Sequence, residues 1–502
     1  MDGSTPSFGR LAGAAAVLTV VYSLAVILYN LYLHPLARFP GPLLWRATRL
    51  TYLRNAVAGT LPRDILRLHR RYGPVVRIAP NELSFGTPEA WRDIYGRKGE
   101  ADELPKYDLF YTVRGAPRSI ISETHHNHAG LRRQLLPQFS DRKMREQEPI
   151  IAGYIDLLMA RLREHVVDPD RRDPVTGGAA RRALNMVDWY TWTTFDIIGD
   201  LAFGEPFGCL NRAREDPWVT LITRSFEWAP IINAIKYLGL ERVLVPLLGA
   251  NRFRKEHQKR TAEKLERRMA LQVERPDLIE GLLNKKDELN LDKRRLLVNA
   301  STLIVAGSET TATLLSGVTY LLLRNPDALK KVTEEVRTAF SSEDEITLTS
   351  VGQLNYMLAC LNEALRCYPP VAGGLPRYIP KGRGGVTIAG QTVPEKTIVS
   401  LWQWAAYHNE DNFREPFSYR PERFLHDPKF AGDRLDVLQP FSVGPRNCLG
   451  QNLSFAEMRL ILARILYNFD LELADKTVDW LDQRAQVLWR KKPLPVYLTP
   501  VR

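Results

Sequence analysis

The sequence is poor in cysteine. Only four cysteines occur in 502 residues, Cys209, Cys360, Cys367 and Cys448. Their scattered positions give neither the framework of a disulfide-rich secreted protein nor the close pairs typical of a zinc site. A globular body that faces a reducing compartment such as the cytosol fits this pattern best.

The sequence also has no recognition motif for nucleic acid. Lys and Arg outnumber Asp and Glu by 69 to 57, a net charge of +12, but the basic residues are spread along the chain. We therefore expect an acidic protein partner or an anionic membrane surface, and no nucleic acid. There is no repeat period, and 45% apolar residues can fill the core of one large domain.

Charged side chains are absent between Leu11 and Leu33. The segment has the length of about 20 residues that a helix needs to cross the hydrocarbon of a bilayer. Only Arg10 precedes it, whereas several arginines follow, so the positive-inside rule places the rest of the chain in the cytosol. A buried core helix is the alternative. A cleaved signal peptide would have a basic start and a shorter apolar core.

Prolines follow the apolar segment directly. Pro35, Pro40 and Pro42 cannot continue a helix, so the stretch HPLARFPGP is expected to be a stiff connector. The predicted organisation is a lumenal N-terminus (1–10), a transmembrane anchor (11–33), a proline-rich connector (34–60) and one catalytic domain (61–502).

Helical patterns dominate the predicted catalytic domain. A helix over LPRDILRLHRRYG and two short strands, VVRIAP and ELSFG, open it, and short β-type runs such as GVTIAG and KTIVSL lie between residues 375 and 399. Longer helices are predicted at 127–139, 148–163, 187–201, 256–270, 292–323 and 448–466. We therefore predict a mainly α fold with a small β portion.

The segment FSVGPRNCLG places Cys448 in a glycine-bracketed loop before an apolar helix. The positive end of that helix favours a thiolate, and Gly444 and Gly450 allow the backbone to approach a flat cofactor closely. Arg446 can neutralise a carboxylate on the rim of the cofactor, and Phe441 can shield the sulfur from water. A buried structural cysteine is the alternative.

A second candidate segment, AGSETT, lies within the longest predicted helix. Ala306 and Gly307 leave room for a ligand against the helix, and Glu309 with Thr310 offers a carboxylate beside a hydroxyl for relaying protons. The alternative is a packed kink in which the threonine bonds back to its own helical turn.

An acid and a base are also spaced three residues apart in YMLACLNEALRCYPP. Glu363 and Arg366 share one face of a helix that ends before Pro369 and Pro370, so they can pair. An exposed surface pair is the alternative interpretation.

These motifs resemble those of the cytochrome P450 family from the apolar anchor to the last helix, and they imply its fold. FSVGPRNCLG has the family's residue at every defining position, and AGSETT is similar to its central-helix motif. The resemblance implies that Cys448 binds the iron of haem b, and that Glu309 and Thr310 deliver protons to dioxygen. It also implies that Arg423, in YRPERFL, joins Glu363 and Arg366 in a buried charge network.

The resemblance further implies that Arg132 and Arg377 hold the haem propionates. His128 stands where many family members have Trp, four residues before Arg132, and its ring can still donate a hydrogen bond to a carboxylate. With His125 and His126 it could instead form a metal site, although an exposed turn before a helix is the simpler interpretation.

The implied function is a monooxygenase that inserts one atom of O2 into a lipophilic small molecule by hydroxylation or epoxidation. LYLHPLARFPGP and WYTWTTFDIIGDLAFGEPFG resemble fungal microsomal members that tailor terpenoids, polyketides or alkaloids. The implied location is the endoplasmic reticulum membrane, as a single-pass protein whose catalytic domain faces the cytosol. Because the sequence has no flavin or dinucleotide fingerprint, electrons should come from a separate NADPH–cytochrome P450 reductase, which docks on a basic surface that includes Arg132 and Arg133.

Two other functions remain open for such a sequence. A haem-thiolate isomerase or dehydratase would need neither a reductase nor a proton relay, and a haem sensor or carrier would use the thiolate without catalysis. Glu309 and Thr310 argue against both.

Overall fold

An apolar helix stands at the N-terminal end of the protein. The computed structural model describes residues 8–96, 103–172, 179–271, 275, 277–286, 288 and 291–502, so most of the predicted lumenal segment lies outside it. Helix α1 spans Phe8–Leu28, and a π-helical turn, Tyr29–Leu33, extends it. The most apolar part of the stretch Phe8–Leu33 is not buried against the body. It is compatible with a membrane anchor.

Helices form most of the body and are linked by short 3-10 turns. The helices that follow α1 are α2 Leu43–Ala47, α3 Leu50–Ala58, α4 Leu61–Tyr72, α5 Glu89–Tyr95, α6 Asp108–Tyr111, α7 His125–Leu135, α8 Asp141–His165, α9 Met186–Phe203, α10 Cys209–Arg212, α11 Pro217–Tyr237, α12 Glu241–Leu247, α13 Ala250–Ala270, α14 Glu280–Asn284, α15 Lys293–Arg324, α16 Pro326–Ala339, α17 Asn355–Cys367, α18 Gln403–Tyr407 and α19 Gln451–Asn468.

Short strands form the minor part. They are β1 Val75–Ala79, β2 Glu82–Phe85, β3 Val167–Arg172, β4 Ala179–Arg181, β5 Ala183–Asn185, β6 Arg377–Tyr378, β7 Val386–Ile388, β8 Gln391–Val393, β9 Ile398–Leu401, β10 Phe469–Leu473 and β11 Pro495–Pro500. One sheet has the order β1-β2-β9-β6, with β2 and β9 parallel and its other pairs antiparallel. A second sheet has the order β10-β11-β5, and β3-β4 and β7-β8 are two-stranded.

The proline-rich segment after α1 lies on the body. It contains α2 and α3, and α2 packs against β1. The backbone N–H of Arg77 in β1 donates to the carbonyl of Pro40 (2.7 Å), and the side chain of Asn30 donates to the carbonyl of Ala47 (2.9 Å). These bonds join the end of the apolar helix to the rest of the fold.

The long helix α15 passes through the core. The Asp292 side chain caps it by accepting from the N–H of Arg295 (2.8 Å), and it ends before Asn325 and Pro326, which cannot continue it. It packs along α9 and also against α13, α17 and α19. Buried hydroxyls on α15 donate to carbonyls one turn earlier, for example Ser316 to Ala312 (2.7 Å), so they leave no unpaired donor in the core.

Candidate active site

An internal cavity of about 220 Å3 separates α15 from the loop that precedes α19. Cys448, Phe441 and Gly450 line it from the loop, and Ala306 and Thr310 line it from α15. Two sequence motifs that are far apart in the chain therefore meet at one cavity.

The thiol of Cys448 is exposed to this cavity. The loop is held by a hydrogen bond from the N–H of Cys448 to the carbonyl of Phe441 (2.8 Å). The Arg132 guanidinium donates to both oxygens of Asn447, at 2.8 Å to the carbonyl and 2.6 Å to the side-chain amide. Helix α19 begins only at Gln451, so the cysteine stays in the loop and not in the predicted helix 448–466.

Burial raises the pKa of the Cys448 thiol, which is opposite to the sequence-based expectation of a favoured thiolate. The N–H of Gly450 and the charge of Arg132 do lower this pKa, but the loss of solvation outweighs them. A coordinated metal ion would offset this cost, because it deprotonates a thiol outright.

Gly444 and Gly450, which are predicted to let the backbone approach a flat cofactor, and Gly307, which is predicted to leave room for a ligand, have different environments. Gly444 has a φ of +76°, and a Cβ there would lie 2.2 Å from the carbonyl oxygen of Tyr95. A Cβ on Gly307 would lie 2.7 Å from Ile198 of α9, although its backbone lines the cavity. Gly450 alone has ordinary space, with Phe139 at 3.8 Å. Gly444 and Gly307 thus serve loop and helix packing.

A cluster of basic side chains lies at one end of the cavity around Glu103. Its Oε1 accepts from Arg446 (2.7 Å) and Arg377 (2.8 Å), and its Oε2 contacts His125 (2.8 Å). Burial opposes ionisation of Glu103, but the hydrogen bonds from His125 and Arg377 outweigh it and hold its pKa at about 2. Lys106 lines the cavity beside them, and burial and the two arginines lower its pKa well below the usual value.

This surplus of positive charge fits a cofactor that carries carboxylates. Two arginines face the Glu103 carboxylate, and the buried Nε of Arg377 has no hydrogen-bond partner among the described residues. Further carboxylates would supply both the missing charge and the missing acceptor.

The histidines at the start of α7 differ in their exposure to solvent. His128 is buried and lines the cavity, and burial together with Arg446 lowers its pKa to about 3, so it is a neutral ring that can donate a hydrogen bond. His126 is exposed. Within the described ranges no cluster of three His, Cys, Asp or Glu side chains could hold a metal ion, so the alternative metal site has no support there.

The acid and the alcohol of AGSETT face different cavities. Thr310 lines the cavity of Cys448, and its hydroxyl donates to the carbonyl of Ala306 (2.7 Å). This is the bond back to its own helical turn that the alternative interpretation of AGSETT expects. Glu309 instead contacts Lys491 and lines a second cavity of about 210 Å3 behind α15. The structure does not bring the two side chains together as a relay pair.

Glu363, Arg366 and Arg423 form a fully buried network. Arg366 binds both oxygens of Glu363 (2.7 and 2.8 Å), and Arg423 reaches the same carboxylate at 3.3 Å. Asp433 also pairs with Arg423. The surface-pair alternative is therefore wrong.

The comparisons with known proteins agree with this geometry. The sequence profile of the family described as "Cytochrome P450" matches residues 40–498. This chain belongs to the cytochrome P450 family. It is 49% identical to the cytochrome P450 monooxygenase tpeC of Talaromyces stipitatus, over 98% of this chain and 96% of that protein. It is 46% identical to averantin hydroxylase of Dothistroma septosporum (98% and 91% covered) and 44% identical to the cytochrome P450 monooxygenase prhB of Penicillium brasilianum (98% and 98%).

Several predictions are thereby confirmed. The chain has the cytochrome P450 fold, and cytochromes P450 bind haem through a cysteine thiolate on the iron. Its relatives are fungal P450 monooxygenases of secondary metabolism, so it is a monooxygenase that acts on a small molecule with O2 and a redox partner. Nothing favours an isomerase or a haem sensor.

Sequence patterns missed other polar residues of this cytochrome P450. Glu103 and Lys106 at the cation cluster, Lys491 beside Glu309, and Glu457, which also lines the cavity, lie outside the motifs. Lys491 is contributed by the C-terminal segment, so only the tertiary fold brings it to α15.

Proposed function

We propose that this cytochrome P450 hydroxylates or epoxidises a lipophilic secondary metabolite in the cavity of Cys448, as one tailoring step of its pathway. The observation that carries the proposal is the convergence of the Cys448 thiol, the cation cluster and α15 on one cavity. One relative is named averantin hydroxylase, which makes hydroxylation the reaction that we favour.

The residues around the cavity fit the parts of haem b. Cys448 is the proposed iron ligand, and Phe441, which packs against Phe455 with ring centres 5.2 Å apart, is proposed to shield its sulfur from water. The haem carboxylates would be held by Arg446, Lys106 and neutral His128, with Arg377 behind them. Arg132 fixes the cysteine loop through its hydrogen bonds to Asn447. Haem bound there supplies the binding and activation of dioxygen.

Thr310 is the proposed proton-handling hydroxyl. Its O–H donates to the Ala306 carbonyl, which leaves the hydroxyl oxygen free to accept a hydrogen bond at the cavity that Thr310 lines. Glu309 remains a proposed proton source, but its carboxylate must leave Lys491 to reach the cavity of Thr310.

The cavity favours an apolar substrate. Ile120, Ile121, Ile198, Leu303 and Ala306 contribute apolar walls. Ile120 and Ile121 bring the loop before α7 to the cavity. An anchored enzyme can draw such a substrate from the lipid phase.

We also propose a single-pass location in the endoplasmic reticulum membrane, with residues 11–33 as the anchor, residues 34–60 as the connector and the catalytic domain in the cytosol. The exposed apolar α1 supports it. Electrons would come from NADPH–cytochrome P450 reductase, which docks near exposed Arg133 beside the cysteine loop.

The test is reconstitution of the full-length protein with this reductase in phospholipid vesicles. Candidate metabolites are first screened for those that shift the spin state of the iron, and each hit is then incubated with NADPH and 18O2. The proposal expects one labelled oxygen atom in the product and none without NADPH. A product that forms equally well without NADPH would contradict it and indicate an isomerase or dehydratase.

A further inference from the structure

Acidic residues are missing from the segment that joins the apolar helix to the body. No Asp or Glu occurs between Asp2 and Asp64, whereas His34 and five arginines lie between the end of the apolar stretch and Asp64. Arg49, one of these arginines, pairs with Glu82 of β2. The positive charge of this segment can therefore be balanced only by groups from elsewhere.

Arg46 of α2 and Arg77 of β1 lie close together where the segment packs on the body. Arg46 donates to the carbonyls of Leu31 and Ala37 (3.1 Å each), and Arg77 donates twice to the carbonyl of Pro80 (2.6 and 3.0 Å). Among the described residues, neither guanidinium has an Asp or Glu within ion-pair distance. The two arginines thus form a pair of like charges that is held by carbonyl groups alone.

Several donors of this pair and its neighbour His34 are left over. The Nε of Arg46 and the Nη1 of Arg77 are buried without a hydrogen-bond partner in the described part of the chain, and Arg77 has no exposed surface. The Nδ1 of His34 accepts from the N–H of Leu36 (3.0 Å), so a neutral ring carries its proton on Nε2. Burial and the charge of Arg77 lower the pKa of His34 to about 4, which keeps the ring neutral at pH 7.

The charge of the two arginines needs balancing as well as their donors. Burial and the charge of Arg46 lower the pKa of Arg77 to about 10, so Arg77 is still charged at neutral pH and is repelled by its neighbour. A trapped water molecule would satisfy the unpaired N–H groups but would leave the two like charges together. An anion meets both needs, and phosphate oxygens match the planar donors of a guanidinium group best.

The position of the pair indicates the source of such a phosphate. Arg46 bonds to Leu31 in the π-helical turn that extends α1, so it lies directly beyond the apolar span. In the proposed single-pass topology, the cytosolic end of this span lies at the level of the lipid phosphate groups. Arg46 and His34 are partly exposed there, so a ligand can reach the pair from their side.

We propose that Arg46, Arg77 and His34 form a binding site for the phosphate group of an anionic phospholipid at the cytosolic end of α1. The proposal goes beyond the monooxygenase function and rests on the proposed membrane location. The phosphate accepts from Arg46 and His34, and Arg77 balances its charge from the protein side. Because α2 packs against β1, a lipid bound there fixes the body relative to the membrane surface.

The first test measures binding of lipid without turnover. Full-length, haem-loaded protein in a non-ionic detergent is titrated with short-chain phosphatidic acid, short-chain phosphatidylcholine and inorganic phosphate, and binding is followed by phosphorus NMR. Phosphatidic acid should saturate one site and bind most tightly. If it does not saturate, or if phosphatidylcholine binds as tightly, the proposal is overturned. Equal binding of inorganic phosphate indicates a site for a free anion and overturns the assignment to a lipid.

Two matched variants separate a specific site from general attraction to basic residues. Arg46→Gln should weaken the binding of phosphatidic acid about 10- to 100-fold, the usual effect of losing a hydrogen bond between charged groups. Arg54→Gln removes the same charge from an exposed position of α3 and should weaken it at most about fivefold, the share of one basic residue near an anionic surface. Equal losses in the two variants overturn the proposal.

A further measurement needs no variant and decides the matter if Arg46→Gln does not retain haem. When phosphatidic acid is added to the wild-type protein in phosphatidylcholine nanodiscs, amide hydrogen exchange should slow in residues 34–47 and in β1 but not in α16, which packs on other helices. Unchanged exchange in residues 34–47 and β1 overturns the proposal. Neither experiment uses NADPH or substrate, so a failure here is distinguishable from a failure of the monooxygenase function.

Discussion

Removal of the Glu363 carboxylate should destabilise the protein strongly, because it is the common acceptor of a buried network. Glu363 accepts from Arg366, Arg423 and the N–H of Arg420, and the three network side chains have no exposed surface. In Glu363→Ala, Arg423 keeps Asp433, whereas Arg366 keeps only backbone carbonyls and the Cys367 sulfur. Arg366 thus loses the carboxylate to which it is hydrogen-bonded, and the charge of Asp433, which is paired with Arg423, compensates it less directly.

The expected loss in the free energy of unfolding is about 3 to 5 kcal/mol, as measured when one partner of a buried ion pair is deleted. This equals roughly a 100- to 4,000-fold change in the unfolding equilibrium, since a tenfold change takes about 1.4 kcal/mol. Because whole domains are stable by only about 5 to 15 kcal/mol, haem content should also fall. Glu363→Gln keeps an acceptor oxygen and should lose less, about 1 to 3 kcal/mol.

The assay is denaturant unfolding of the purified protein in detergent, with haem per polypeptide measured in parallel. Glu164→Ala on α8 is a matched control, because Glu164 also pairs with an arginine three residues away (2.6 Å) but is 52% exposed. It should cost at most about 1 kcal/mol. If Glu363→Ala and Glu164→Ala lose equally little, the structural role assigned to the network is refuted.

Three further predictions concern the cavity. Arg446→Ala should lower haem retention during gel filtration, because it removes a cation from the cluster. Arg434→Ala is the control and should keep haem, because Arg434 belongs to an exposed pair with Glu89. Equal retention in both variants would contradict the fit of the cluster to carboxylates. Gly444→Ala should lower the free energy of unfolding by more than about 1 kcal/mol, because Gly444 has a positive φ and lies close to the Tyr95 carbonyl. Gly432→Ala is the control and should be neutral, because open space surrounds Gly432. Equal stability of the two variants would contradict the packing argument. Thr310→Ala should keep haem but raise the share of NADPH lost as peroxide, and unchanged coupling would contradict a role for this hydroxyl.

Sequence patterns predict the long amphipathic and buried helices well. The predicted helix 292–323 corresponds to α15, Lys293–Arg324, because the Asp292 cap and the Asn325-Pro326 stop act locally. The strands around VVRIAP and ELSFG are equally local and form the pair β1 and β2. Helix α11 was not among the predicted helices, because Pro230 interrupts its pattern and its apolar residues follow no clear stripe.

The candidate site is only partly predictable from the sequence, because the direction in which each side chain points depends on tertiary contacts. The motif AGSETT places Glu309 and Thr310 side by side in sequence, but successive residues of a helix point about 100° apart. Lys491, from the distant C-terminal segment, then holds Glu309 at the other cavity. The environments of Gly307 and Gly444 likewise depend on contacts with Ile198 and Tyr95, which no local sequence pattern encodes.

The most direct test of the account is the absorption spectrum of the reduced protein with carbon monoxide. Thiolate ligation by Cys448 predicts a red-shifted Soret band for the wild type and for Cys360→Ala, which alters a buried cysteine away from the cavity. The same band should be absent in Cys448→Ala. A red-shifted band that persists in Cys448→Ala, or a wild-type protein without haem, would contradict the account.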